Sequence, residues 1–430
     1  MKERVAIVDG IRTPFCKAGG VLRAMAADDL GAVAVKELMA RTEFPPEQID
    51  ELIFGNVAQP VEAANVARVL ALKAGLPTSL PAYTVHRNCA SGMESITTGA
   101  NKILAGQADV IVAGGTESMS NIPLMYGRKM TELFTGLFKA RTVGARLKAM
   151  LGFRPSFLKP VVGLEKGLTD PICGMMMGST AEVLAREFAI TRDEQDAFSL
   201  RSHQRAVAAI EGGRMAEEIV PVPVPPSYHM VQERDDGPRA EQTMEALAKL
   251  KPYFDRQTGT VTVGNSCPIT DGAGAVLIMA ESRARELGLH PLGYLVDYAY
   301  AALDGQRMGL GPIYATSRLL ERTGLTVDAF DLIEINEAFA VQVMANQRAF
   351  ESDAFSRTYL GRDRALGALD DDRLNVNGGA VAIGHPVGAT GTRLIITLLH
   401  EMRRRNAHRG LASLCVGGGQ GAALALEVES

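Results

Sequence analysis

Two stretches far apart in the chain read alike. KELMARTEFPPEQIDELIFGN (36–56) and RLLERTGLTVDAFDLIEINE (318–337) each give the end of a helix, a turn and a strand. Arg41-Thr42 aligns with Arg322-Thr323, and Asp50 aligns with Asp331 without a gap. A second pair, DVIVAGGTES (109–118) and LASLCVGGGQ (411–420), aligns Gly114-Gly115 with Gly417-Gly418. The order of elements repeats as well as their character, which predicts a duplicated domain.

The repeated units alternate strand and helix. RVAIV, DVIVAGG, AVLIMA and LASLCVGGG are short apolar runs, as buried strands require. Between such runs lie helical patterns such as AVAVKELMARTE and TRLIITLLHEMRRR. That alternation predicts an α/β architecture. With 430 residues the chain can bury a large core in two or three domains.

The region 124–255 fits neither copy and reads as an insertion. It carries PVPVPP (221–226) and several helical patterns. Its first part, 126–160, has eight basic residues (Arg128, Lys129, Lys139, Arg141, Arg146, Lys148, Arg154 and Lys159) against Glu132 alone. Met130, Leu133, Phe134, Leu137 and Phe138 recur there at helical spacing. A basic amphipathic segment can lie on a membrane surface or dock on an acidic partner. It can equally be a solvated face over a local core, or an electropositive lip for a phosphorylated substrate.

The chain-wide charge excludes other classes. A net charge of −4 and a pI near 6.1 offer nothing to attract nucleic acid. No apolar run reaches the roughly 18 residues of a transmembrane helix, and MKERVAIVDG does not read as a secretory leader. Cys16, Cys89, Cys173, Cys267 and Cys415 are odd in number and lack CxxC or zinc spacing. A disulfide framework and a structural metal are therefore not expected, and a cytoplasmic location is.

Four short stretches, three of them glycine-rich, sit at strand ends, where α/β folds place ligands. They are NCASG (88–92), NEAF (336–339), GHPVGATG (384–391) and CVGGGQG (415–421). Cys89 falls where a strand pattern yields to a helix pattern. A helix N-terminus can favour a thiolate, the form that attacks carbon. Taken alone, a Cys there is more often an inert core thiol. His385, between Gly384 and Pro386, is expected on a loop before a helix starting near Thr390, where a neutral imidazole can accept a thiol proton. The remaining histidines, at 86, 203, 229, 290, 400 and 408, lack such framing. Cys415 ends a strand before three glycines, whose N–H groups can meet an oxyanion. Asn336 ends another strand, where its amide can hold a water or a carbonyl. GHPVGATG lacks the Lys-Ser/Thr of a P-loop, and no GxGxxG follows the first strand.

Together and in this order, the four stretches resemble the thiolases. RTPF (12–15), AGGTESMS (113–120) and TVTVGNSCPITDGA (260–273) extend the resemblance over nearly the whole chain. It implies a duplicated thiolase fold of five αβαβα layers with an inserted loop domain. The N-terminal domain would be 1–123, completed by 256–281. The insertion would be 124–255 and the C-terminal domain 282–430.

The resemblance also implies roles. Cys89 would carry the acyl group, His385 would activate it, and Cys415 would protonate the leaving enolate. Asn336 would hold a water that forms one oxyanion hole with His385. The N–H groups of Cys89 and Gly417 would form the other. Ser266, Cys267 and Met177 would line the substrate. The implied reaction is thiolytic cleavage of 3-oxoacyl-CoA, with CoA as a substrate and no bound cofactor or metal.

MGSTAE (177–182), RSHQRA (201–206), YFDRQTGTVT (253–262) and the basic segment are similar to thiolase subunits of bacterial trifunctional-type fatty-acid oxidation complexes. That implies a homodimer or tetramer, a hydratase/dehydrogenase partner and peripheral membrane contact through 126–160. A short-chain biosynthetic acetoacetyl-CoA thiolase is the alternative, because Asn336 is found in such enzymes. A ketoacyl synthase would carry His where Cys415 stands. A non-catalytic acyl-binding member would not need all four site residues.

Overall fold

Asp50 and Asp331, paired by sequence, do the same work in the two halves of the molecule. Asp50 Oδ2 accepts from the N–H groups of Asp109 and Val110 at 2.7 and 2.9 Å. Asp331 Oδ2 accepts from those of His408 and Arg409 at 2.8 and 2.9 Å. Each carboxylate ties the start of one strand to the start of its parallel neighbour. The arginines of the repeat also correspond. Arg41 lies 3.5 Å from Asp9 and Arg322 lies 2.8 Å from Asp297, both carboxylates sitting just past a bulge in their strands.

The structure is a computed structural model describing residues 3–429. Its large sheet has ten strands: β1 (Val5–Arg12), β2 (Cys16–Lys17), β3 (Glu51–Gly55), β4 (Ala82–Val85), β5 (Val110–Ser118), β6 (Thr270–Ala280), β7 (Gly293–Ala302), β8 (Leu332–Ile335), β9 (Arg409–Val416) and β10 (Gln420–Glu427). Their order is β8-β9-β10-β7-β1-β6-β5-β3-β4, with β2 beside β6. β1 and β7 meet antiparallel at the seam. Outward from it, β1-β6-β5-β3 mirrors β7-β10-β9-β8, and only the outermost pair in each series is parallel. A duplicated topology therefore underlies the repeat.

Helices cover the sheet in the manner their apolar stripes dictate. α1 (Ala27–Thr42) buries Leu30, Ala34, Val35 and Leu38, at helical spacing, against the first half. α2 (Val66–Lys73) packs beside it. α8 (Gly311–Thr323) and α9 (Ala340–Phe350) contribute to the outer core of the second half. Between the two half-sheets run α3 (Ser91–Leu104) and α10 (Val387–Arg405). The layers are thus helix, sheet, helix, sheet, helix.

The two central helices touch near their N-termini. A Cβ on Gly391 would stand 2.5 Å from the Met93 nitrogen, and one on Gly92 would stand 2.8 Å from the Thr392 nitrogen. Only glycine at both positions allows that approach. It brings the residues preceding each helix, Cys89 and His385, toward one place.

The stretch between β5 and β6 contributes no strand to the large sheet. It folds as α4 (Arg128–Lys139), α5 (Val143–Met150), α6 (Met177–Glu187), α7 (Arg192–Glu211), two small two-stranded sheets and shorter turns. α4 buries Met130 but leaves Phe138 93% exposed. Among the described residues, no helix is long and apolar enough to cross a membrane. No cluster of three or more His, Cys, Asp or Glu among them could hold a metal ion.

Candidate active site

Cys89 stands in the tight turn between β4 and α3. Asn88 before it is left-handed (φ 43°), a conformation Asn tolerates better than most residues. The turn is closed by Ala90 N–H to Arg87 O at 2.9 Å and Ser91 N–H to Asn88 O at 3.0 Å. Ser91 Oγ also donates to Asn88 O (2.7 Å) and accepts from Arg87 N–H (2.9 Å). The thiol is half-buried. Loss of water raises its pKa, while the N–H groups of Gly417 and of Cys89 itself pull it back down. The sulfur therefore rests as a thiol beside two donors that would favour a thiolate.

His385 stands just before the second central helix, α10. It is buried between Gly384 (φ 104°) and Pro386. α10 begins at Val387 rather than near Thr390, because Pro386, with its fixed φ, serves as the N-cap. Thr390 is thereby placed one turn in, and its Oγ1 lies 2.6 Å from His385 Nδ1. The same hydroxyl donates to Pro386 O at 3.1 Å. Its single proton is spent there, so Nδ1 carries the hydrogen and Nε2 keeps its lone pair. Burial, and then Arg393, push the imidazole pKa down to about 3. It is neutral and able to accept.

Backbone hydrogen bonds join the other motifs to His385. His385 N–H donates to Pro268 O at 3.3 Å, and Cys267 N–H to Ala338 O at 3.0 Å. Ser266 bridges Phe339, so NEAF is strapped to 265–268. Asn336 N–H donates to Ser413 O at 3.0 Å, two residues before Cys415 on β9. Asn336 itself is fully buried, yet neither its Oδ1 nor its Nδ2 has a partner among the described residues. Buried amides are rarely left so, and this one offers both a donor and an acceptor to a small polar group.

Cys415 is buried, and its pKa is raised well above the ordinary thiol value by lost solvation and then by nearby Cys89 and Cys267. It holds its proton against anything but a strong base. Cys267 is pushed up to about 12 by burial first and then by Cys89. Ser266 Oγ donates to Thr262 O at 2.7 Å, which orients it for structure. Met177 opens α6 with its sulfur 3.4 Å from where a Cβ on Gly417 would sit.

Residues 5–282 match the family model described as "Thiolase, N-terminal domain", and 289–428 match "Thiolase, C-terminal domain". The chain belongs to the thiolase family. It is 44% identical to the 3-ketoacyl-CoA thiolases of Yersinia enterocolitica and Escherichia fergusonii, over 99% of this chain and 97% of each relative. It is similar to the crystal structure of the Bacillus anthracis acetyl-CoA acetyltransferase (TM-score 0.87, 37% identity, 99% of both chains). Human mitochondrial 3-ketoacyl-CoA thiolase in complex with CoA is also similar (TM-score 0.86, 35% identity, 100% of this chain and 98% of that one).

Within this thiolase, two buried carboxylates support the site. Glu117 accepts from Val57 N–H (3.1 Å), Ala58 N–H (3.0 Å), Asn56 Nδ2 (3.1 Å) and Gly388 N–H (3.0 Å). It thus fastens the first turn of α10, next to His385, to the loop after β3. Burial raises its pKa to about 7 against the pull of those four donors. Glu337 accepts from Ser202 Oγ, Asn375 Nδ2 and Val381 N–H. An acidic side chain inside the small, apolar run VIVAGGTES was the sequence signal for Glu117. Thr390 gave none, because a hydroxyl in a glycine-rich helix start is unremarkable alone.

Proposed function

We propose that this thiolase cleaves 3-oxoacyl-CoA with CoA through an acyl group on Cys89, in fatty-acid β-oxidation. The observation that carries the reading is the proton inventory at the site. One thiol lies on two N–H donors, a neutral imidazole has a free Nε2, and a second thiol keeps its proton.

His385 Nε2 takes the Cys89 proton, and the thiolate attacks C3 of the substrate. The oxygen that gains charge meets the N–H groups of Cys89 and Gly417, or His385 with a water on Asn336. The C2–C3 bond breaks and its electron pair goes to the acetyl-CoA enolate. Cys415 protonates C2, acetyl-CoA leaves, and the acyl group stays on Cys89. CoA then gives its proton to the Cys415 thiolate and attacks the acyl carbonyl. Cys89 departs and recovers its proton from His385. Two moderate barriers replace one high one. Ser266, Cys267 and Met177 are proposed to flank the bound substrate.

The proposed domain division is 1–123 with 256–281, 124–255, and 282–430. The molecule is proposed to act as a homodimer or tetramer beside a hydratase/dehydrogenase subunit, in the cytoplasm. The segment 126–160 is proposed to rest on membrane. Its support is the row of exposed Phe138, Val143, Leu147 and Leu151 among basic residues, around an open hollow of about 660 Å³ lined by Phe134, Leu137 and Arg146. Thiolysis rates with acyl chains from four to sixteen carbons test the function. Cleavage is expected, and its absence at every length would contradict it. Activity confined to acetoacetyl-CoA would favour the short-chain biosynthetic enzyme.

A further inference from the structure

The turn that carries one oxyanion donor has little to hold it. Gly417, Gly418 and Gly419 join β9 to β10, and Gly418 and Gly419 have φ of 87° and 78°. Three successive glycines have the widest backbone freedom a chain can have. Yet the Gly417 N–H must point at the Cys89 sulfur to favour the thiolate.

One side chain crosses from the nucleophile's turn to this one. Asn88 Nδ2 donates to Gly417 O at 2.7 Å, over 329 positions of sequence. A Cβ on Gly417 or Gly418 would lie 3.9 or 3.8 Å from that nitrogen, so the amide rests along both glycines. Asn88 is itself locked. Its φ is 43°, its carbonyl accepts from both Ser91 N–H and Ser91 Oγ, and Cys89 is the next residue. Outer ties exist, Arg87 Nη1 to Gln420 Oε1 at 3.3 Å and Leu303 N–H to Gly419 O at 2.8 Å. Neither reaches Gly417.

We propose that Asn88 is a positioning residue for thiolysis: its amide clamps the Gly417 carbonyl and so aims the Gly417 N–H at Cys89. The N–H and the carbonyl of Gly417 lie on either side of one freely rotating Cα. Fixing the carbonyl fixes the turn in which the donor sits. Asn88 also explains why the residue before the nucleophile is polar and left-handed, since an Asn side chain reaches across from that conformation. The inference rests on the acyl-Cys89 reading above.

The test uses the full chain as Asn88→Gly and Asn88→Asp. Glycine keeps the left-handed turn and deletes the clamp. Aspartate keeps the shape and turns an acceptor toward the carbonyl. Three quantities are read: thiolysis kcat and KM, the pH dependence of Cys89 alkylation by iodoacetamide, and the thermal midpoint. Asn88→Gly should lower kcat about tenfold, part of the loss seen when an oxyanion donor is removed, with KM within about twofold. Its alkylation midpoint should rise by about one pH unit, as the thiolate loses a donor. Its thermal midpoint should stay within about 3 °C of wild type. Asn88→Asp should show larger kinetic and pH shifts of the same sign.

A wild-type kcat and alkylation profile in Asn88→Gly would overturn the inference while leaving the thiolysis reading intact. So would kinetic losses in both variants that follow a collapse in thermal midpoint. A wild-type protein without thiolysis would remove the acyl-Cys89 reading, and the clamp with it.

Discussion

His385 Nδ1 stands 2.6 Å from Thr390 Oγ1, and the hydroxyl gives its only proton to the Pro386 carbonyl. Thr390 thus sets which imidazole nitrogen keeps its lone pair, the one proposed to act as base. Replacing it by Val keeps the shape and removes the acceptor. Thr390→Val should lower the rate of Cys89 acylation about 10- to 100-fold, since a misdirected general base loses part of its contribution. It should cost about 1–2 kcal/mol of stability for the buried Nδ1–H left unpaired. Stopped-flow acylation and chemical unfolding measure the two.

Cys415 is proposed to protonate the enolate, and its loss should separate the half-reactions. Cys415→Ala should still take an acyl group onto Cys89 from an activated thioester. It should fail to break the carbon–carbon bond of a 3-oxoacyl-CoA, because no proton donor meets the enolate. The drop in thiolysis should be at least about 100-fold, the usual scale of general acid catalysis. Equal losses in both half-reactions would contradict the assignment.

Glu117 makes stability depend on pH in a defined direction. Its folded pKa is raised from 4.5 to about 7, so the folded chain binds the proton more tightly than the unfolded chain. Its contribution is fully present below about pH 4.5 and is lost as pH rises to about 7. The change amounts to on the order of 3 kcal/mol. Glu117→Gln should remove that slope and set an NH2 against N–H donors, destabilising by about 2–4 kcal/mol. Unfolding curves at several pH values, wild type against variant, report the difference.

The basic segment makes a prediction about surfaces. Neutralising Arg141, Arg146 and Lys148 together should weaken sedimentation with anionic vesicles about 100-fold, at roughly 1 kcal/mol per charge near the membrane. Thiolysis in solution should be unchanged. Equal vesicle binding would contradict membrane docking.

What the sequence made legible were features with local signatures. The pairing of Asp50 with Asp331 was visible because both copies keep the helix, turn and strand around it, and both carboxylates prove to bind strand-start N–H groups. Cys89, His385 and Cys415 were visible because glycines and a proline frame them. Asn88 and Ser91 stood in plain view without a role, since Asn88 finds its partner 329 positions away. Glu117 stands out as an acid in an apolar run, but its role does not, because its partner Gly388 lies 271 positions off. The start of α10 was placed three residues late, because glycines argue against a helix where close packing in fact demands them.

The central claim is that the acyl group travels on Cys89. Rapid quenching with a 3-oxoacyl-CoA, followed by peptide mass analysis, tests it most directly. The predicted result is an acyl mass on the peptide containing Cys89, absent in Cys89→Ala, which should also lose thiolysis. An acyl mass on Cys267 or Cys415, or thiolysis that survives in Cys89→Ala, would contradict it.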